Sequence, residues 1–456
     1  MKKKSTQKAV AKSPRKARGT VRKVRIQRGA KNLTRQAGLI PVLKFHERVG
    51  LAGLLDKAVA QCRGASAVYT LGDAMLLTIV GLIGGARSLL QVVRLWSDEV
   101  LRSCSGWLRI PDDSTLGRLF KQVRLGQIVQ LETVVHQVRR RVWRLALRSG
   151  GATVGAQRRL WIDVDSTVKT VYGEPEGAAK GYNPHKRGAK SYHPLLAFCT
   201  ATKEILQGWL RTGNAYTSNG VVEFMQQLLA HLPTRVQVVF RGDSGFFVGA
   251  LLALLEARGH GYLIKVKLKN LTALLARKDW TAVPGQAGWE CCEFLYACQD
   301  WNRLRRFVAV RLDTRIDPSS AKAAAEDGYV YFCYVTSEAF APWQAHQTYG
   351  ERATCETWIE EAKNQMGLAH LKTDTFLANA ALFQCAILAY NTLQWMALVS
   401  GEASLLQWEI ATLRRELIQV AGKLLTGGRQ LHLRIPPCSL YPSAWQAWWA
   451  LADEPT

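Results

Sequence analysis

Four side chains that can bind phosphate or metal recur at helical spacing in the second half of the chain. They are Tyr349, Arg352, Glu356 and Lys363, at offsets of 0, 3, 7 and 14 residues. A helix turns by about 100° per residue, so the four fall within roughly 60° of one face and extend over about 21 Å. The cations could hold successive phosphates while the carboxylate holds a metal ion at the reacting phosphate. The alternative is a solvated helix with salt bridges such as Arg352–Glu356.

Two predicted strands carry carboxylates that are costly to bury without a partner. Within Trp161–Thr167, Asp163 and Asp165 share one face of the strand, and apolar residues occupy the other. Asp243 follows the predicted strand Arg235–Phe240 at a glycine-rich turn. Because ligands in such sheets bind at strand ends, these acids are candidates for the same site as Glu356. The alternative for Asp243 is an N-cap of the helix that follows.

The elements that must position these acids form an α/β pattern after residue 150. A Gly/Ser-rich break at residues 149–152 separates it from a helical region before it. The order β-β-β-α-β-α-β predicts a mixed sheet with helices on its faces. The predicted strands are Leu160–Val164, Tyr192–Thr200, Glu204–Arg211, Arg235–Phe240 and Tyr262–Val266, and the predicted helices are Asn219–His231 and Phe247–Ala257.

Strand patterns continue from residue 268 to residue 337, and helices follow. The predicted strands are Glu290–Tyr296, Arg306–Leu312 and Tyr329–Val335; the predicted helices are His346–Gln365, Phe376–Val399 and Gln407–Leu425. Residues 375–401 carry no charge and are long enough to cross a bilayer. Four amides nevertheless interrupt them within roughly a 140° arc, which favours a helix buried on one side in a soluble protein; they are Asn379, Gln384, Asn391 and Gln394.

Residues 38–147 have the apolar periodicity of helices. The clearest are Leu51–Val59, Ala74–Ile83, Leu89–Trp96 and a long helix from about Gln127 to Arg148. A helix-start signal at Pro111–Thr115 opens a shorter helix. Several short helices before a basic one are compatible with a helix-turn-helix reader of DNA, with Ser114–Gln122 as the recognition helix and Arg118 and Lys121 as its contacts. A plain helical bundle with solvated arginines is the alternative.

The charge of the chain indicates a polyanionic partner. There are 61 Lys and Arg against 35 Asp and Glu, a formal net charge of +26. Residues 1–35 contain 14 basic residues and no acid, but the remaining 47 still exceed the acids by 12. Residues 1–37 are therefore predicted to be a disordered basic arm. The ten cysteines fit neither a secreted disulfide framework nor a zinc pattern, which favours reduced thiols in the cytosol.

A second basic segment lies between the first two predicted strands of the sheet. It contains glycine, and its cations are Lys180, His185, Lys186, Arg187 and Lys190. Cations on a loop beside the carboxylates would suit phosphate binding. The alternative is a solvated hairpin loop.

Taken together, these motifs resemble the DDE transposases of bacterial insertion sequences. The chain matches all four positions of the Tyr-(2)-Arg-(3)-Glu-(6)-Lys signature of one superfamily. Asp165-Ser-Thr resembles that group's first catalytic motif, and Asp243-Ser-Gly-Phe resembles its second. The segment Gly181–Pro194 resembles one branch of the group. The resemblance covers about residues 160–400, and Asp165 is preferred to Asp163 because the small residues after it fit the family motif.

The resemblance implies a fold class and an activity. The fold would be α/β, with an RNase H-like mixed sheet, flanking helices, a β-rich insertion and a helical DNA-binding region before it. Asp165, Asp243 and Glu356 would be catalytic and would hold two Mg²⁺ roughly 3.5–4 Å apart, or Mn²⁺ in their place. The reaction would cut the element's end and join the freed 3′-OH to target DNA, with no covalent protein–DNA link.

Further expectations follow from the same resemblance. Tyr349, Arg352 and Lys363 would contact DNA phosphates, so Tyr349 would not be a nucleophile. Trp289 and Trp301 in the insertion could stack a flipped base, although tryptophan in a β-rich region is more often core. The partners would be double-stranded DNA, as terminal inverted repeats and target, and a second copy of the chain in a homodimer on paired ends. The setting would be the bacterial cytoplasm at the nucleoid, with no membrane.

The predicted division of the chain has six parts. They are a basic arm (1–37), a helical DNA-end-binding region (38–150), the first part of the catalytic core (151–267), the β-rich insertion (268–340), the second part of the core with the Glu-bearing helix (341–400) and a C-terminal helical region (401–456). Two other functions compete: a non-catalytic DNA-binding protein on the same scaffold, and an RNase H-like nuclease without strand transfer. The three carboxylates argue against the first, and the helical region and the Tyr-Arg-Glu-Lys face argue against the second.

Overall fold

The first part of the folded chain is a short strand followed by helices. The computed structural model describes residues 24–26, 28–61, 67–148, 159–183, 186–317, 319, 325, 327–370, 372–428, 430–437 and 440–452. The elements in this part are β1 (Leu33–Thr34), α1 (Leu39–Arg48), α2 (Leu51–Ala58), α3 (Leu71–Ile83), α4 (Leu89–Trp96), α5 (Glu99–Ser105), α6 (Asp113–Phe120) and α7 (Leu125–Arg148). Side-chain caps begin several of these helices, among them Thr70 with Asp73 in a capping box before α3.

The middle of the chain forms a sheet with helices on its faces, as the alternating pattern predicts. Its elements are β2 (Arg159–Ser166), β3 (Lys169–Thr170), β4 (Ala179–Lys180), β5 (Lys190–Tyr192), β6 (Leu195–Cys199), β7 (Ile205–Trp209), α8 (Val221–His231), β8 (Gln237–Gly242), α9 (Gly249–Ala257), β9 (Gly261–Lys265), α10 (Leu271–Leu275), β10 (Thr281–Ala282), β11 (Trp289–Tyr296), β12 (Arg305–Asp313) and β13 (Tyr329–Thr336).

Nine of these strands form one sheet, in the order β10-β11-β12-β13-β9-β8-β2-β6-β7. β2, β8 and β9 are parallel, and the other neighbours pair antiparallel. The five strands from β7 to β9 have the RNase H-like arrangement, in which the central strand has an antiparallel neighbour on one side and a parallel neighbour on the other. The predicted fold class is therefore confirmed. The strands of the insertion extend this sheet through β13, which pairs with β9.

The remaining elements return to the core. They are α11 (Pro342–Gly350), α12 (Ala353–Glu360), α13 (Phe376–Val399), α14 (Ile410–Leu413), β14 (Gly422–Gly427), β15 (Gln430–Arg434) and α15 (Pro442–Ala450). Wide π-type turns follow α12 at Glu361–Gln365 and α14 at Arg414–Ile418. A separate small sheet, in the order β3-β5-β4, is formed by the part of the chain that connects β2 to β6.

α13 is the central helix of the molecule. It packs against α3 and α7 on one side and against β7 on the other, and nearly all its residues are buried. Within the described residues, it is the helix that is long and apolar enough to cross a membrane by length and composition, yet here it lies inside the protein. The expectation that this helix would be buried on one side only is wrong, because the N-terminal helices cover the side that would otherwise face solvent.

Amides of α13 bind the outer edge of the sheet. Asn391 accepts a hydrogen bond from the backbone N–H of Ile205 (2.7 Å) and donates to its carbonyl (2.8 Å). Gln384 donates to the carbonyl of Gly208 (2.8 Å). These side chains satisfy backbone groups of β7 that an edge strand leaves unpaired, so the sheet explains the polar residues at these two positions of α13.

Two predictions about the ends of the chain are wrong. The predicted helix Gln407–Leu425 stops at the π turn, and β14 follows, so the region 401–456 is not purely helical. β14 pairs with β15 and with β1, and Leu424–Leu425 fits both the helical and the strand period. The predicted disordered arm ends earlier than residue 37, because β1 pairs with β14 and Ala37 is buried. The prediction for residues 1–23 lies outside the described residues.

The contact between α13 and β7 can be tested by comparing two buried amides of the same helix. Asn391→Leu leaves the N–H and the carbonyl of Ile205 without partners, and each such group costs about 1–3 kcal/mol. We expect the free energy of unfolding to fall by about 2–4 kcal/mol. The measurement is urea unfolding followed by tryptophan fluorescence.

Gln394→Leu is the matched control. Gln394 is equally buried, and within the described part of the chain its Oε1 has no hydrogen-bond partner. Its Nε2 makes a long contact (3.5 Å) with the Tyr390 hydroxyl. We expect a change within about 1 kcal/mol. Equal losses in the two variants would show that the Asn391 contact does not stabilise the edge of the sheet.

Candidate metal and nucleic-acid site

Asp165 and Asp243 lie side by side at the carboxyl ends of two parallel strands. β2 and β8 pair in a register that places Val164 opposite Gly242, so the next residues on the two strands are Asp165 and Asp243. Burial raises the pKa of Asp165 to about 6; the neighbouring Arg352 opposes that rise, and Asp243 adds to it. The carboxylates of Asp165 and Asp243 therefore bring negative charge together at the adjacent ends of β2 and β8.

Asp163, two residues earlier on the same face, has a different partner. Arg241 on β8 donates from Nε to one oxygen of Asp163 (2.6 Å) and from Nη2 to the other (2.9 Å), and the two residues are 2% and 0% exposed. Burial raises the pKa of Asp163, and the hydrogen bonds from Arg241 oppose that effect. With both oxygens bound to a guanidinium, Asp163 has no free oxygen facing Asp243, whereas Asp165 does face it.

The same arginine holds the helix that carries Glu356. Arg241 Nη1 donates to the carbonyl of Thr348 and lies 3.3 Å from Glu351. Both residues are at the junction where α11 ends and α12 begins. A second arginine at this junction, Arg352, places Nη2 2.8 Å from Asp165 Oδ2 and Nη1 3.7 Å from Glu356 Oε1. Two arginine–aspartate contacts therefore fix the start of α12 against β2.

The four signature residues do not form one exposed stripe, contrary to the expectation from helical spacing. Tyr349 packs on Tyr334 with ring centroids 4.6 Å apart, and Arg352 is buried. The Glu356 side chain is 70% exposed, but that of Lys363 is mostly buried and lies 3.6 Å from Glu360. The break after Gly350 and the π turn at Glu361–Gln365 change the phase of the helix, so a single 100° rotation per residue does not hold throughout.

The surroundings of Tyr349 and Arg352 determine the protonation state of the first and the ionic contacts of the second. Burial raises the pKa of Tyr349 to about 12, so its hydroxyl stays protonated and can donate a hydrogen bond. The buried guanidinium of Arg352 contacts the carboxylate of Asp165. It also forms the i,i+4 salt bridge to Glu356 that the helical spacing allows. Trp358 is buried and packs on Phe198 with ring centroids 5.9 Å apart.

Asp243 caps a short turn and not the helix that follows. Its Oδ1 accepts from the N–H of Gly245 (2.9 Å) in the 3-10 turn Ser244–Phe246, whereas α9 begins at Gly249 without a side-chain cap. The alternative that Asp243 is the N-cap of that longer helix is therefore wrong. Its second oxygen accepts no hydrogen bond from the described residues, so it is available to a ligand.

The three acids fit a hard divalent cation by the chemistry of their donors. Carboxylate oxygens are the ligands that Mg²⁺ and Mn²⁺ prefer. Among the described residues, no three His, Cys, Asp or Glu side chains are close enough together to hold an ion as they stand. The Arg352 guanidinium contacts both Asp165 and Glu356, so it supplies at this site the positive charge that the carboxylates require.

The cations of the predicted basic loop have different surroundings. Lys180 and Arg187 are exposed. Lys186 lies over the ring of Tyr172 (4.8 Å), and Lys190 pairs with Glu174. His185 lies outside the described residues. Lys372, which sequence reasoning missed, reaches the same tyrosine ring at 5.5 Å and adds a cation from the loop before α13.

The predicted base-stacking tryptophans are packed in aromatic clusters. Trp289 contacts Trp343 (5.1 Å) and His346 (5.2 Å). Trp301 contacts Phe247 (5.3 Å) and lies under the guanidinium of Arg305 (4.5 Å). Trp301 also lines a cavity of about 600 Å³ near the start of α9. Their role in stacking a base stays a prediction.

The predicted recognition helix is the eight-residue α6. Its N-terminus carries Asp112 and Asp113, with Asp112 capping the helix. Arg118 is exposed and donates to Thr115 (2.9 Å), and Lys121 forms a salt bridge with Asp374 (2.8 Å). The second contact attaches this helix to the segment before α13, and its reading of DNA stays a prediction.

Arg241 is the functional residue that sequence reasoning passed over. It lies in a buried strand between Phe240 and Gly242, and a charged side chain in that position requires a buried partner of opposite charge. Asp163 was the unassigned acid on the neighbouring strand. That pair of observations could have assigned Asp163 to Arg241 and left Asp165 for the site.

Comparisons with known proteins identify a family for this chain. The family described as transposase DDE domain group 1 matches residues 16–450. A cryo-EM structure of the piggyBac transposase synaptic complex with hairpin DNA is similar at a TM-score of 0.37 and 13% identity, covering 80% of this chain and 81% of that one. Among curated protein sequences, no significant match was found.

The buried Asp163–Arg241 pair can be tested by removing one partner and then both. Arg241→Met leaves the Asp163 carboxylate buried and unpaired, and we expect a loss of about 3–5 kcal/mol in the free energy of unfolding. The double variant Asp163→Leu with Arg241→Met should recover most of this loss. The measurement is urea unfolding of wild type, single and double variants.

A double variant no more stable than Arg241→Met would contradict this account. The destabilisation would then come from the lost contact with Thr348 and not from an unpaired charge. Asp165→Asn is the matched control, because Asp165 also contacts an arginine yet lies at the end of the strand and not in its buried middle. We expect it to change the stability by less than Arg241→Met.

Proposed function

Because the chain belongs to the transposase DDE domain group 1 family, whose members are DNA-cutting enzymes that use a divalent metal, we propose that it catalyses cut-and-paste transposition of an insertion sequence. The reaction would be metal-dependent cleavage at the ends of the element and strand transfer into target DNA. The observation that carries this proposal is the placement of three acids: Asp165 and Asp243 at adjacent strand ends, and Glu356 on a helix tied to Asp165 through Arg352.

Asp165, Asp243 and Glu356 are the residues that would hold Mg²⁺, with two ions expected and Mn²⁺ as a substitute. When bound, the metal would activate a water or a 3′-OH and stabilise the leaving oxygen. The protein's own groups prepare this site. The backbone N–H of Ser166 donates to Asp165 Oδ1, and that of Gly245 donates to Asp243 Oδ1. The second oxygen of Asp243 accepts no hydrogen bond from the described residues, so it can bind a ligand. Arg352 orients Asp165 from a buried position.

Two sets of groups, one on the Glu356-bearing segment and one on the small sheet, suit a DNA strand. The protonated Tyr349 hydroxyl can donate to a phosphate oxygen. Lys186 and Lys372 approach the exposed ring of Tyr172 from two segments of the chain, and exposed Lys180 and Arg187 lie on the same small sheet and loop. Cations on neighbouring loops are the usual means of binding the phosphate backbone without reading sequence.

The remaining parts of the proposal concern assembly and setting. The partners would be terminal inverted repeats and target DNA, and the chain would act as a homodimer on paired ends in the bacterial cytoplasm, at the nucleoid. The helical region up to residue 150 would bind the DNA ends. Two functions compete: DNA binding without catalysis, and RNase H-like cleavage without joining. The experiments below separate all three.

The catalytic role of Glu356 can be tested on a labelled duplex that carries the end of the encoding element, with Mg²⁺ or Mn²⁺. Wild type should cut at the end and join it to a second DNA. Glu356→Gln should bind the same DNA but cut at least about 100-fold more slowly, because a lost metal ligand removes several kcal/mol of charge stabilisation. The measurement is gel analysis of cleaved and joined products with time.

Glu360→Gln is the matched control. Glu360 is an exposed acid one helical turn further along α12, next to Lys363. It should retain activity within a few-fold of wild type. If wild type binds and never cuts with either metal, DNA binding without catalysis is the better account. If it cuts and never joins, the nuclease account is.

The basic surface around Tyr172 can be tested by salt dependence. Lys186→Ala and Lys372→Ala should each reduce the slope of log affinity against log salt by about 0.9, the amount for one phosphate contact on duplex DNA. The measurement is fluorescence anisotropy with a labelled duplex across a range of salt concentrations.

Lys278→Ala is the control for this effect. Lys278 also lies over an aromatic ring, that of Phe294 (4.4 Å), but in the insertion. Its removal should leave the salt slope unchanged. Unchanged slopes for Lys186→Ala and Lys372→Ala would show that this surface does not contact DNA.

A further inference from the structure

The loop Thr212–Gly220, between β7 and α8, touches the neighbours of both candidate catalytic aspartates. Thr217 Oγ1 lies 3.0 Å from the hydroxyl of Ser166, whose N–H donates to Asp165. The methyl of Thr217 packs against Gly245, where an added Cβ would lie 2.8 Å from it. Gly245 in turn donates its N–H to Asp243. The loop therefore lies along the side of the site.

Buried groups hold this loop in one conformation. Arg211 donates from Nη1 to the carbonyls of Tyr216 (3.1 Å), Thr217 (3.3 Å) and Asn219 (2.7 Å). The N–H of Tyr216 donates to the Asn219 side chain (2.6 Å). His193, which is buried, contacts the carbonyl of Ala215 with Nδ1 and the Ser166 hydroxyl with Nε2 (3.2 Å). A loop fixed in this way loses little conformational freedom when a ligand binds.

Tyr216 is the large side chain that this rigid loop presents to solvent. Its side chain is 75% exposed, and its ring has no aromatic or cationic partner among the described residues. Tyr172 and Tyr349 differ from it, because Tyr172 lies beside two lysines and Tyr349 packs on Tyr334. Single exposed apolar residues are common on protein surfaces, so exposure alone means little. Tyr216 differs from such residues because its loop is attached to Ser166 and Gly245, the neighbours of Asp165 and Asp243.

We propose that Tyr216 stacks on an unpaired base of the DNA strand whose phosphate lies at the carboxylates. This rests on the proposed function, which supplies DNA as the substrate. The exposed face of an aromatic ring fits a base, and stacking tolerates any base because each has a π face. A hydrogen bond from the Tyr216 hydroxyl to a phosphate would be lost in Tyr216→Phe, whereas stacking would remain. A strand whose phosphate lies at the acids would pass the loop that Thr217 attaches to Ser166 and Gly245, and Tyr216 is the residue before Thr217. Trp289 and Trp301, by contrast, already contact other rings.

The test uses a DNA duplex with a short single-stranded overhang that contains 2-aminopurine, at the end of the encoding element. Binding is measured with Ca²⁺ so that no reaction is required. Wild type should quench the 2-aminopurine emission, because stacking quenches this base, and Tyr216→Ala should leave the emission at its unbound level. Tyr216→Phe and Tyr216→Trp should restore the quenching. Tyr216→Ala should also lose about 5- to 150-fold in affinity for the overhang DNA relative to a blunt duplex.

Tyr172→Ala is the matched control, since it removes an equally exposed tyrosine from the neighbouring surface. It should weaken binding of both DNAs alike and leave the quenching of the bound complex intact. Quenching by Tyr216→Ala equal to that of wild type would overturn the stacking proposal, whether or not the wild type cuts DNA. Loss of quenching in Tyr216→Ala, in a protein that never cuts with Mg²⁺ or Mn²⁺, would support the stacking and count against the catalytic function.

Discussion

The bidentate pair between Asp163 and Arg241 is the contact on which the geometry of the site depends. It joins β2 to β8 in the middle of the sheet, and it also reaches the carbonyl of Thr348 at the end of α11. Because both residues are buried, the attraction acts in a medium of low dielectric, and the loss of either partner leaves a costly charge. The strand ends and the Glu-bearing helix are thereby held in a fixed relation.

Asp163 and Asp165 lie on the same face of one strand, but their surroundings give them different roles. Asp163 lies deeper and has both oxygens bound, so it can stabilise the fold but cannot take a metal ion. Asp165 lies at the strand end beside Asp243, where like charges would repel each other and burial disfavours ionisation. Arg352 offsets that repulsion from the helix side. The arginine that compensates the acids is also the residue that fixes the start of α12, so charge balance and helix position are coupled.

Much of this arrangement could be predicted from the sequence, and the failures have identifiable causes. Strand alternation placed Asp163 and Asp165 on one face, and the choice of Asp165 came from the family motif. A glycine-rich turn indicated Asp243 as a candidate, and helical spacing indicated Glu356. The idealised helix failed at Arg352 and Lys363, because a break and a π turn alter its phase. Leu424–Leu425 fits both the helical and the strand period, and the pairing of β14 with β1 shows that it belongs to a strand. Tyr216 gave no local signal, since its position depends on Arg211 and on contacts with residues far away in the sequence.

The insertion is coupled to the site through the helix before Glu356. Its strands continue the central sheet, so they are attached to the core by hydrogen bonds and not by a linker. α11 lies on these strands, where the Tyr334 hydroxyl contacts His346 (2.8 Å) and the Tyr334 ring packs on Tyr349. α12 lies instead on the core strand β6, through Trp358 and Phe198. The junction between the two helices therefore connects insertion and core, and Arg352 is at that junction. A displacement of the insertion against the core would therefore act on the contacts at this junction, those of Arg352 with Asp165 and of Arg241 with Thr348.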